Sequence, residues 1–311
     1  MMQKAQTGSK IKTYYELTKP KIWYLLVFTA FGAAITAANI YGVSVSPMTW
    51  ALMLLGVAAG SASANTLTNY HDRDIDAIME RTKGRPIPSG RISPPERARD
   101  FGLVLAAISM ACAFAISYTA GFWNGIWAGV FMAFGLVNNI VVYSLTLKRR
   151  SRTNIILGGF CGGSPVMIGY AAVTLQGLWD LGLVMAGLVF IWIPMHIWAL
   201  TLHFKDDYNK VNVPMLTAVQ SEKTSARVIA ISTLVMVLFS IVPFFLSTNT
   251  GEPVMREIYL YTAIASGTLM LALSFLVIAK PSEKASWMLF KFSSPYLAVL
   301  FIALMVDSAL R

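Results

Sequence analysis

The chain has 311 residues, of which 56% are hydrophobic and 13% are charged, and its formal net charge at pH 7 is +10. No soluble core would use so much apolar surface, so the composition excludes a soluble globular domain and predicts a protein that crosses a membrane several times. The positive charge does not indicate nucleic-acid binding, because the sequence contains no basic soluble domain that could carry such a surface.

Apolar segments of about 20 residues recur along the whole chain, and each is long enough to cross a hydrocarbon layer about 30 Å thick as a helix. They predict an all-α membrane protein with nine transmembrane helices in one bundle, residues 1–311 forming a single domain. We expect the bundle to surround a central cavity that opens to the cytoplasmic side. The predicted spans lie near residues 22–40, 48–70, 101–118, 123–145, 154–175, 178–202, 225–246, 257–279 and 291–309.

Lysine and arginine lie almost entirely on one side of this predicted topology. Only Arg256 and Arg311 fall on the other side. Because basic residues concentrate in cytoplasmic loops, we expect a cytoplasmic N-terminus, cytoplasmic acidic loops and an outer C-terminus, with the protein in the cell membrane. Lys19 and Lys21, just before the first span, fit either a lipid-headgroup anchor or a contact to a diphosphate.

Residues 65–91 carry four carboxylates, interleaved with basic residues, directly after a strongly apolar segment. Asp72, Asp76 and Glu80 recur every four residues, so on a continuing helix they would share one face, where their repulsion requires a compensating cation. A divalent ion with oxygen ligands meets that requirement, and the nearby basic residues suit a diphosphate that shares the metal. The pattern also fits a solvated loop with Glu–Arg pairs. The basic residues that follow are Arg81, Lys83, Arg85 and Arg91.

Further polar residues lie at or just beyond the ends of the fourth and sixth spans. Residues 148–152 include four cations, which fit either the orientation signal of a cytoplasmic loop or a phosphate clamp. His196 and His203 lie seven residues apart, on roughly one helix face, and precede Asp206 and Asp207. This second acidic pair comes four helices after the first, so both pairs should lie on one side of the membrane. His196 is either an interfacial polar residue or a ligand-binding one.

Two acidic clusters at the mouth of an apolar cavity suit a lipid-tailed diphosphate. A metal ion would neutralise the leaving diphosphate, Lys and Arg would hold its free oxygens, and the tail would lie among the spans. Breaking the allylic C–O bond leaves a carbocation, which needs shelter from water and an electron-rich acceptor nearby. These residues do not identify the acceptor.

Several motifs resemble those of a known family. NYxDRDID at residues 69–76, followed by RTKxRP at 81–86, resembles the first aspartate-rich motif of the UbiA-type intramembrane prenyltransferases. Within that family, four further stretches are similar to the protohaem IX farnesyltransferases. They are LTKPK at 17–21, YSLTLKRR at 143–150, the glycine-rich stretch at 154–165, and WxPMHxWAL at 192–200 running into KDDY and VPML within 205–216.

The resemblance implies a nine-helix enzyme that transfers the farnesyl group of farnesyl diphosphate to a vinyl group of haem B, giving haem O. Asp72 and Asp76 would hold Mg²⁺ and, with Lys148, carry the catalysis. The family has Asn four residues before the first Asp, where this sequence has Thr68. Asn69 is then the nearest candidate for a third metal ligand. The second acidic site, Asp206 and Asp207, would add further metal ligands.

The resemblance also assigns the two substrates to separate groups of residues. Farnesyl diphosphate would be bound by Arg73, Lys83, Arg85, Lys148 and Arg149. Haem B would be bound by His196 and His203, with His196 as iron ligand or propionate partner. Membrane lipid, haem A synthase and the assembly of a terminal oxidase would be further partners.

Three other interpretations remain open at this point. The chain could prenylate a quinone precursor or glyceryl phosphate, since these enzymes share the first motif. It could hold haem only as an assembly protein, which would need His196 but not Asp72. It could be a cation-coupled transporter, although the acidic residues cluster at one membrane face and not at the midplane, where a coupling site is expected.

Overall fold

The computed structural model describes residues 10–248, 250–280 and 282–311, and in these residues the chain is helical, without a β-strand. Fourteen α-helices follow one another, in places extended by 3₁₀- or π-helical turns. They are α1 Lys10–Leu17, α2 Pro20–Tyr41, α3 Pro47–His71, α4 Arg73–Ile78, α5 Glu96–Ala115, α6 Phe122–Val137, α7 Asn154–Gly158, α8 Ser164–Ala171, α9 Leu183–His203, α10 Lys205–Lys210, α11 Leu216–Val219, α12 Glu222–Phe239, α13 Glu257–Ala279 and α14 Glu283–Ala309.

Eight helices in the described part of the chain are long and apolar enough to cross a membrane. They correspond to eight of the nine predicted spans. An all-helical chain is the expected outcome in hydrocarbon, where every backbone N–H and C=O must find a partner inside its own segment. The spans are Pro20–Tyr41, Pro47–His71, Glu96–Tyr118, Phe122–Leu147, Leu178–His203, Glu222–Phe245, Glu257–Ala279 and Glu283–Ala309.

The predicted span at 154–175 is helical but broken. It consists of α7, a 3₁₀-helical segment Gly159–Gly163 and α8, none of which reaches the length of a span alone. Pro165 lies in the first turn of α8, and the break in the helix is the 3₁₀ segment on its N-terminal side. Glycines loosen the helix there, and a proline lacks the N–H that would continue it. The count of nine transmembrane helices therefore stays a prediction.

Serine residues define the starts of several spans. Ser46 precedes Pro47, and its Oγ accepts the backbone N–H of Thr49 at 3.1 Å. Ser221 does the same for Thr224 at the start of α12, at 3.2 Å. Such N-caps satisfy N–H groups that have no partner within the helix. They place the helix starts at the ends of the apolar segments.

Small residues allow α3 and α5 to pack closely. Ser63 Oγ donates to the Gly102 carbonyl across the interface at 2.7 Å. A Cβ added at Gly102 would lie 2.8 Å from the Leu67 side chain, and one at Gly56 would lie 3.1 Å from Cys112 Cβ. Close approach of backbones through small residues is the usual way in which membrane helices pack.

Asp307 is a buried charge near the end of α14. Its carboxylate accepts the backbone N–H groups of Arg256 and Tyr259, each at 2.8 Å. These N–H groups belong to the start of α13, where a helix has unpaired donors and the positive end of its dipole. Asp307 therefore joins the two C-terminal spans and caps one of them.

Candidate active site

Asp72 and Asp76 lie one helical turn apart at the junction of α3 and α4. The Asp76 backbone N–H donates to the Asp72 carbonyl at 2.8 Å, so the helical register continues across the junction. Their side chains are nearly inaccessible, with 1% of Asp72 and 3% of Asp76 exposed. Two buried carboxylates this close require positive partners, because an unpaired buried charge is costly.

Glu80 does not join this pair, and the spacing-based prediction of three stacked carboxylates is wrong for it. α4 ends at Ile78 and the backbone becomes extended at Met79, so Glu80 leaves the helical face. Its exposed carboxylate pairs with Lys83 Nζ at 2.5 Å. Lys83 is thereby directed to Glu80, and the structure does not bring it to the aspartate pair.

Three of the predicted cations surround the two buried aspartates. Lys148 Nζ contacts Asp72 Oδ2, and Arg149 Nη2 lies 3.7 Å from Asp72 Oδ1. Arg85 Nη1 donates to Asp76 Oδ2 at 2.6 Å. Lys148 and Arg149 directly follow a π-helical extension of α6, Asn138–Leu147. Such wide turns occur often at functional sites, and this one determines which residues reach the aspartates.

Arg149 is held in place by a second carboxylate. Its Nη1 and Nη2 donate to the two oxygens of Asp74 at 2.7 and 2.6 Å. This paired contact lowers the pKa of Asp74 to about 2. Arg73, in contrast, donates to the Tyr70 carbonyl at 2.7 Å and lies over the Tyr70 ring. The structure does not bring Arg73 to the aspartate pair, because its side chain is turned toward Tyr70.

Lys19 lies near the aspartate pair, close enough for the charges of Asp72, Asp76, Arg85 and Lys148 to act on its amino group. It lies between α1 and α2 in the left-handed conformation, with φ 52° and ψ 65°, which is uncommon for a residue with a side chain. Burial, followed by repulsion from Arg85 and Lys148, lowers its pKa well below the ordinary lysine value. The charges of Asp76 and Asp72 act in the opposite direction. Both roles that the sequence left open for Lys19, the headgroup anchor and the contact to a diphosphate, stay predictions.

The aspartate pair fits a magnesium ion. Mg²⁺ is usually held by one or two carboxylates together with water and substrate phosphate oxygens. Asp72 Oδ1 is buried without a hydrogen-bond partner, so one carboxylate oxygen is available. In the described part of the chain, no group of three or more His, Cys, Asp and Glu side chains is arranged to hold a metal. Asp72 and Asp76 therefore fit as the protein's share of a site that the diphosphate completes.

Asn69, predicted as a third metal ligand, has other partners. Its Nδ2 donates to the Leu17 carbonyl at 2.8 Å, and its Oδ1 accepts from Arg85 at 3.3 Å. The side chain is 2% exposed. Asn69 thus helps to position the Arg85 guanidinium that pairs with Asp76. The position of Asn69 in the motif did not predict this role.

The second acidic pair adjoins the loop after the first one. Asp207 is buried, and its two oxygens accept the backbone N–H groups of Glu80 at 3.3 Å and Arg81 at 3.1 Å. Asp206 is exposed and lines a surface recess with His203. The expectation that both acidic pairs lie on one side is consistent with this contact. The structure does not gather Asp206 and Asp207 with Asp72 and Asp76 into one ligand set.

An apolar cavity of about 110 Å³ lies among α2, α3, α6, α8 and the 3₁₀ segment before α8. Asn65 and Asn139 are among its few polar lining residues. The Asn139 side chain accepts from Thr68 Oγ1 at 3.3 Å, and the Thr68 carbonyl accepts the Asp72 N–H at 2.9 Å. The cavity is therefore connected to the aspartate pair through one helical turn.

His196 and His203 both lie at the contact between α9 and α14. His196 Nδ1 is 2.6 Å from Ser293 Oγ, and its ring is stacked on Trp192. His203 Nδ1 bonds to the Glu283 carbonyl at 3.1 Å. The sequence did not indicate Ser293 as a partner of His196, because the two residues are 97 positions apart and Ser293 lies in an apolar segment without a recognisable motif.

A cation-ringed aspartate pair beside an apolar cavity in a helical bundle is the arrangement that an intramembrane enzyme acting on a prenyl diphosphate requires. The profile of the UbiA prenyltransferase family matches residues 25–303, and the chain belongs to that family. Protoheme IX farnesyltransferase 2 of Cenarchaeum symbiosum is 66% identical over 310 residues and covers 100% of both chains. Protoheme IX farnesyltransferase of Thermoplasma volcanium is 40% identical, over 96% of this chain and 98% of its own.

Solved structures share the fold. A digeranylgeranylglyceryl phosphate synthase superimposes with a TM-score of 0.74 at 18% identity, covering 98% of this chain and 100% of its own. A UbiA homologue of Archaeoglobus fulgidus bound to DMAPP and Mg²⁺ has a TM-score of 0.59 at 15% identity, covering 96% of this chain and 99% of its own. At these identities the similarity establishes the fold of a multi-pass membrane protein.

Proposed function

We propose that this chain transfers the farnesyl group of farnesyl diphosphate to a vinyl group of haem B, giving haem O. The observation that carries the proposal is the buried pair Asp72 and Asp76, ringed by Lys148, Arg149 and Arg85 and connected to an apolar cavity. The names of the full-length relatives support haem as the acceptor. The whole chain acts as one domain.

The diphosphate end of the reaction uses the aspartate pair and its cations. Mg²⁺, when bound at Asp72 and Asp76, supplies a Lewis acid that neutralises the leaving diphosphate. Lys148 and Arg85 already contact these carboxylates, so they lie within reach of phosphate oxygens that share the metal. Preorganised positive charge stabilises the transition state as the allylic C–O bond breaks. Lys19 adds to this charge when the bound diphosphate raises its pKa and the amino group takes up a proton.

The apolar cavity and the contact between α9 and α14 serve the isoprenoid chain and the haem acceptor. The apolar cavity lined by α2, α3, α6 and α8 shelters the isoprenoid chain and the allylic cation from water. The terminal vinyl carbon of haem B forms a bond to C1 of the farnesyl group. Water then adds at the neighbouring carbon and loses a proton, which gives the hydroxyethylfarnesyl substituent. His196 and His203 lie on the haem side.

The proposal includes the location of the enzyme and its partners. The protein lies in the cell membrane with its N-terminus and acidic loops in the cytoplasm and its C-terminus outside, as the distribution of basic residues indicates. Haem A synthase and the assembly of a terminal oxidase would use its product.

The test is pigment analysis after expression in a host that cannot make haem O. The wild-type chain should produce haem O, and Asp72→Asn and Asp76→Asn should each lower its yield by about 100-fold or more while the protein still inserts. Asp100→Asn is the matched control, because Asp100 is an exposed carboxylate that pairs with Arg99 at the surface.

Three outcomes would contradict the proposal. Full haem O synthesis by Asp72→Asn or Asp76→Asn would reject the assignment of the metal and diphosphate. A prenylated quinone precursor or glyceryl phosphate, formed in place of haem O, would identify one of the other acceptors. A cation-coupled transporter would form no prenylated product.

A further inference from the structure

The hydrogen bonds around His196 define which of its ring nitrogens carries the proton. Ser293 Oγ lies 2.7 Å from the Phe290 carbonyl, which can only accept, so the serine hydroxyl donates there. The serine oxygen then accepts from His196 Nδ1, at 2.6 Å. A neutral imidazole with its proton on Nδ1 has a bare lone pair on Nε2.

Two aromatic rings stack on the His196 ring, and Ser293 occupies its Nδ1. Trp192 covers one ring face at a centroid distance of 4.1 Å, and Phe290 stacks on the ring at 4.4 Å, both nearly parallel to it. Trp192 Nε1 also donates to the Ser293 carbonyl at 2.8 Å, which holds the serine in register with the histidine. Within the described residues, Nε2 of His196 makes no hydrogen bond, so its lone pair has no donor.

We propose that Ser293 is a positioning residue that holds His196 as the Nδ1–H tautomer, so that Nε2 ligates the iron of haem B. This inference rests on the proposed function. An iron ligand needs a lone pair in the ring plane, which Nε2 supplies here. A propionate partner would instead need an N–H donor at Nε2, which this tautomer lacks. Metal-binding histidines commonly donate their other N–H to a fixed acceptor, which fixes the ring and raises its basicity.

The experiment compares two porphyrins on the purified full-length protein in lipid nanodiscs. Haem B can be ligated by Nε2, whereas iron-free protoporphyrin IX offers the same propionates without the metal. His196→Ala should weaken haem binding by about 10- to 100-fold and leave the affinity for protoporphyrin IX unchanged. Equal losses for both porphyrins would show a propionate contact and overturn the assignment of Nε2 to iron.

The role of Ser293 is tested with two variants of the same shape. Ser293→Thr keeps the hydroxyl, and Ser293→Val removes it with nearly the same volume. Ser293→Val should shift the iron–histidine stretching band of ferrous haem and lower haem affinity by about 10-fold, while Ser293→Thr restores both. Ser294→Ala, on the neighbouring residue, should bind haem as the wild type does.

The outcomes separate this inference from the proposed function. If the wild-type chain makes haem O but the valine and threonine variants have the same band and affinity, only the role of Ser293 is rejected. If the wild-type chain binds neither porphyrin and makes no haem O, the proposed function fails as well. Thermal unfolding of each variant confirms that the comparison is made on folded protein.

Discussion

Asp207 Oδ2 accepts the backbone N–H of Arg81 at 3.1 Å, and so ties the second acidic segment to the loop after the first one. The other oxygen of Asp207 accepts the N–H of Glu80. The Arg81 guanidinium reaches back to Tyr208 Oη at 3.3 Å. These contacts span 126 to 127 residues of sequence, and they fix where the chain leaves α4. The loop that carries Arg85 therefore depends on α10 for its position.

Replacing Asp207 should loosen this loop. Asp207→Ala leaves two backbone N–H groups without their acceptor, which costs about 1–3 kcal/mol. We expect faster hydrogen exchange in residues 79–85 and a lower unfolding temperature. Asp206→Ala is the control, since Asp206 is exposed and makes no such contact in the described structure. Equal effects of the two variants, accompanied by equal losses of Mg²⁺ affinity, would favour a shared metal role.

Lys19 should make diphosphate binding depend on pH. Its pKa is lowered well below 10.5, first by burial and then by Arg85. The folded state binds this proton more weakly than the unfolded chain, so a protonated Lys19 lowers the free energy of unfolding. This loss in the free energy of unfolding is fully present at a pH below the folded-state pKa of Lys19. It disappears as the pH rises from that pKa toward 10.5. A bound diphosphate adds negative charge and raises the pKa, so binding should take up protons.

Calorimetry of magnesium pyrophosphate binding in two buffers of different ionisation enthalpy measures this proton uptake. Lys19→Met should reduce the uptake and weaken binding. Lys21→Met, at an exposed lysine two residues further along, should behave as the wild type does. Identical proton uptake by Lys19→Met and the wild type would show that Lys19 does not change its protonation when the anion binds.

Gly169 should not tolerate a side chain. A Cβ there would lie 2.1 Å from the Ala30 carbonyl oxygen, so α2 and α8 would have to separate. We expect Gly169→Ala to cost about 1–3 kcal/mol or more, the usual range for overpacking. Gly84→Ala is the control, because its Cβ would meet nothing within 4 Å. Thermal unfolding in detergent measures both, and a stable Gly169→Ala variant would contradict the close approach of the two helices.

Asp307 should matter for stability. Asp307→Ala leaves the N–H groups of Arg256 and Tyr259 without their acceptor, at a cost of about 1–3 kcal/mol. Asp307→Asn keeps one oxygen and should have an intermediate effect. Glu257→Ala removes an exposed carboxylate from the first turn of α13 and should cost less than about 1 kcal/mol. The measurement is the unfolding temperature, and haem O synthesis should persist in every variant that remains folded.

Much of the fold could be predicted from local sequence. The apolar segments gave the positions of eight long helices, because a chain in hydrocarbon must pair its backbone within each segment. The glycine-rich stretch before Pro165 was harder to interpret. Its apolar residues predicted one span near 154–175, whereas α7, the 3₁₀ segment and α8 take the place of one long helix.

The sequence by itself determined that Asp72 and Asp76 share a helical turn and that cations follow them, because both features depend on spacing along one segment. Only the tertiary structure decided that Lys148 meets Asp72, that Asp207 holds the loop at Arg81, and that Glu80 leaves the site. Opposite charges attract one another, but this attraction does not determine which cation pairs with which carboxylate. The π-helical turn after α6 and the packing of distant helices make that selection, and neither has a signature in local periodicity.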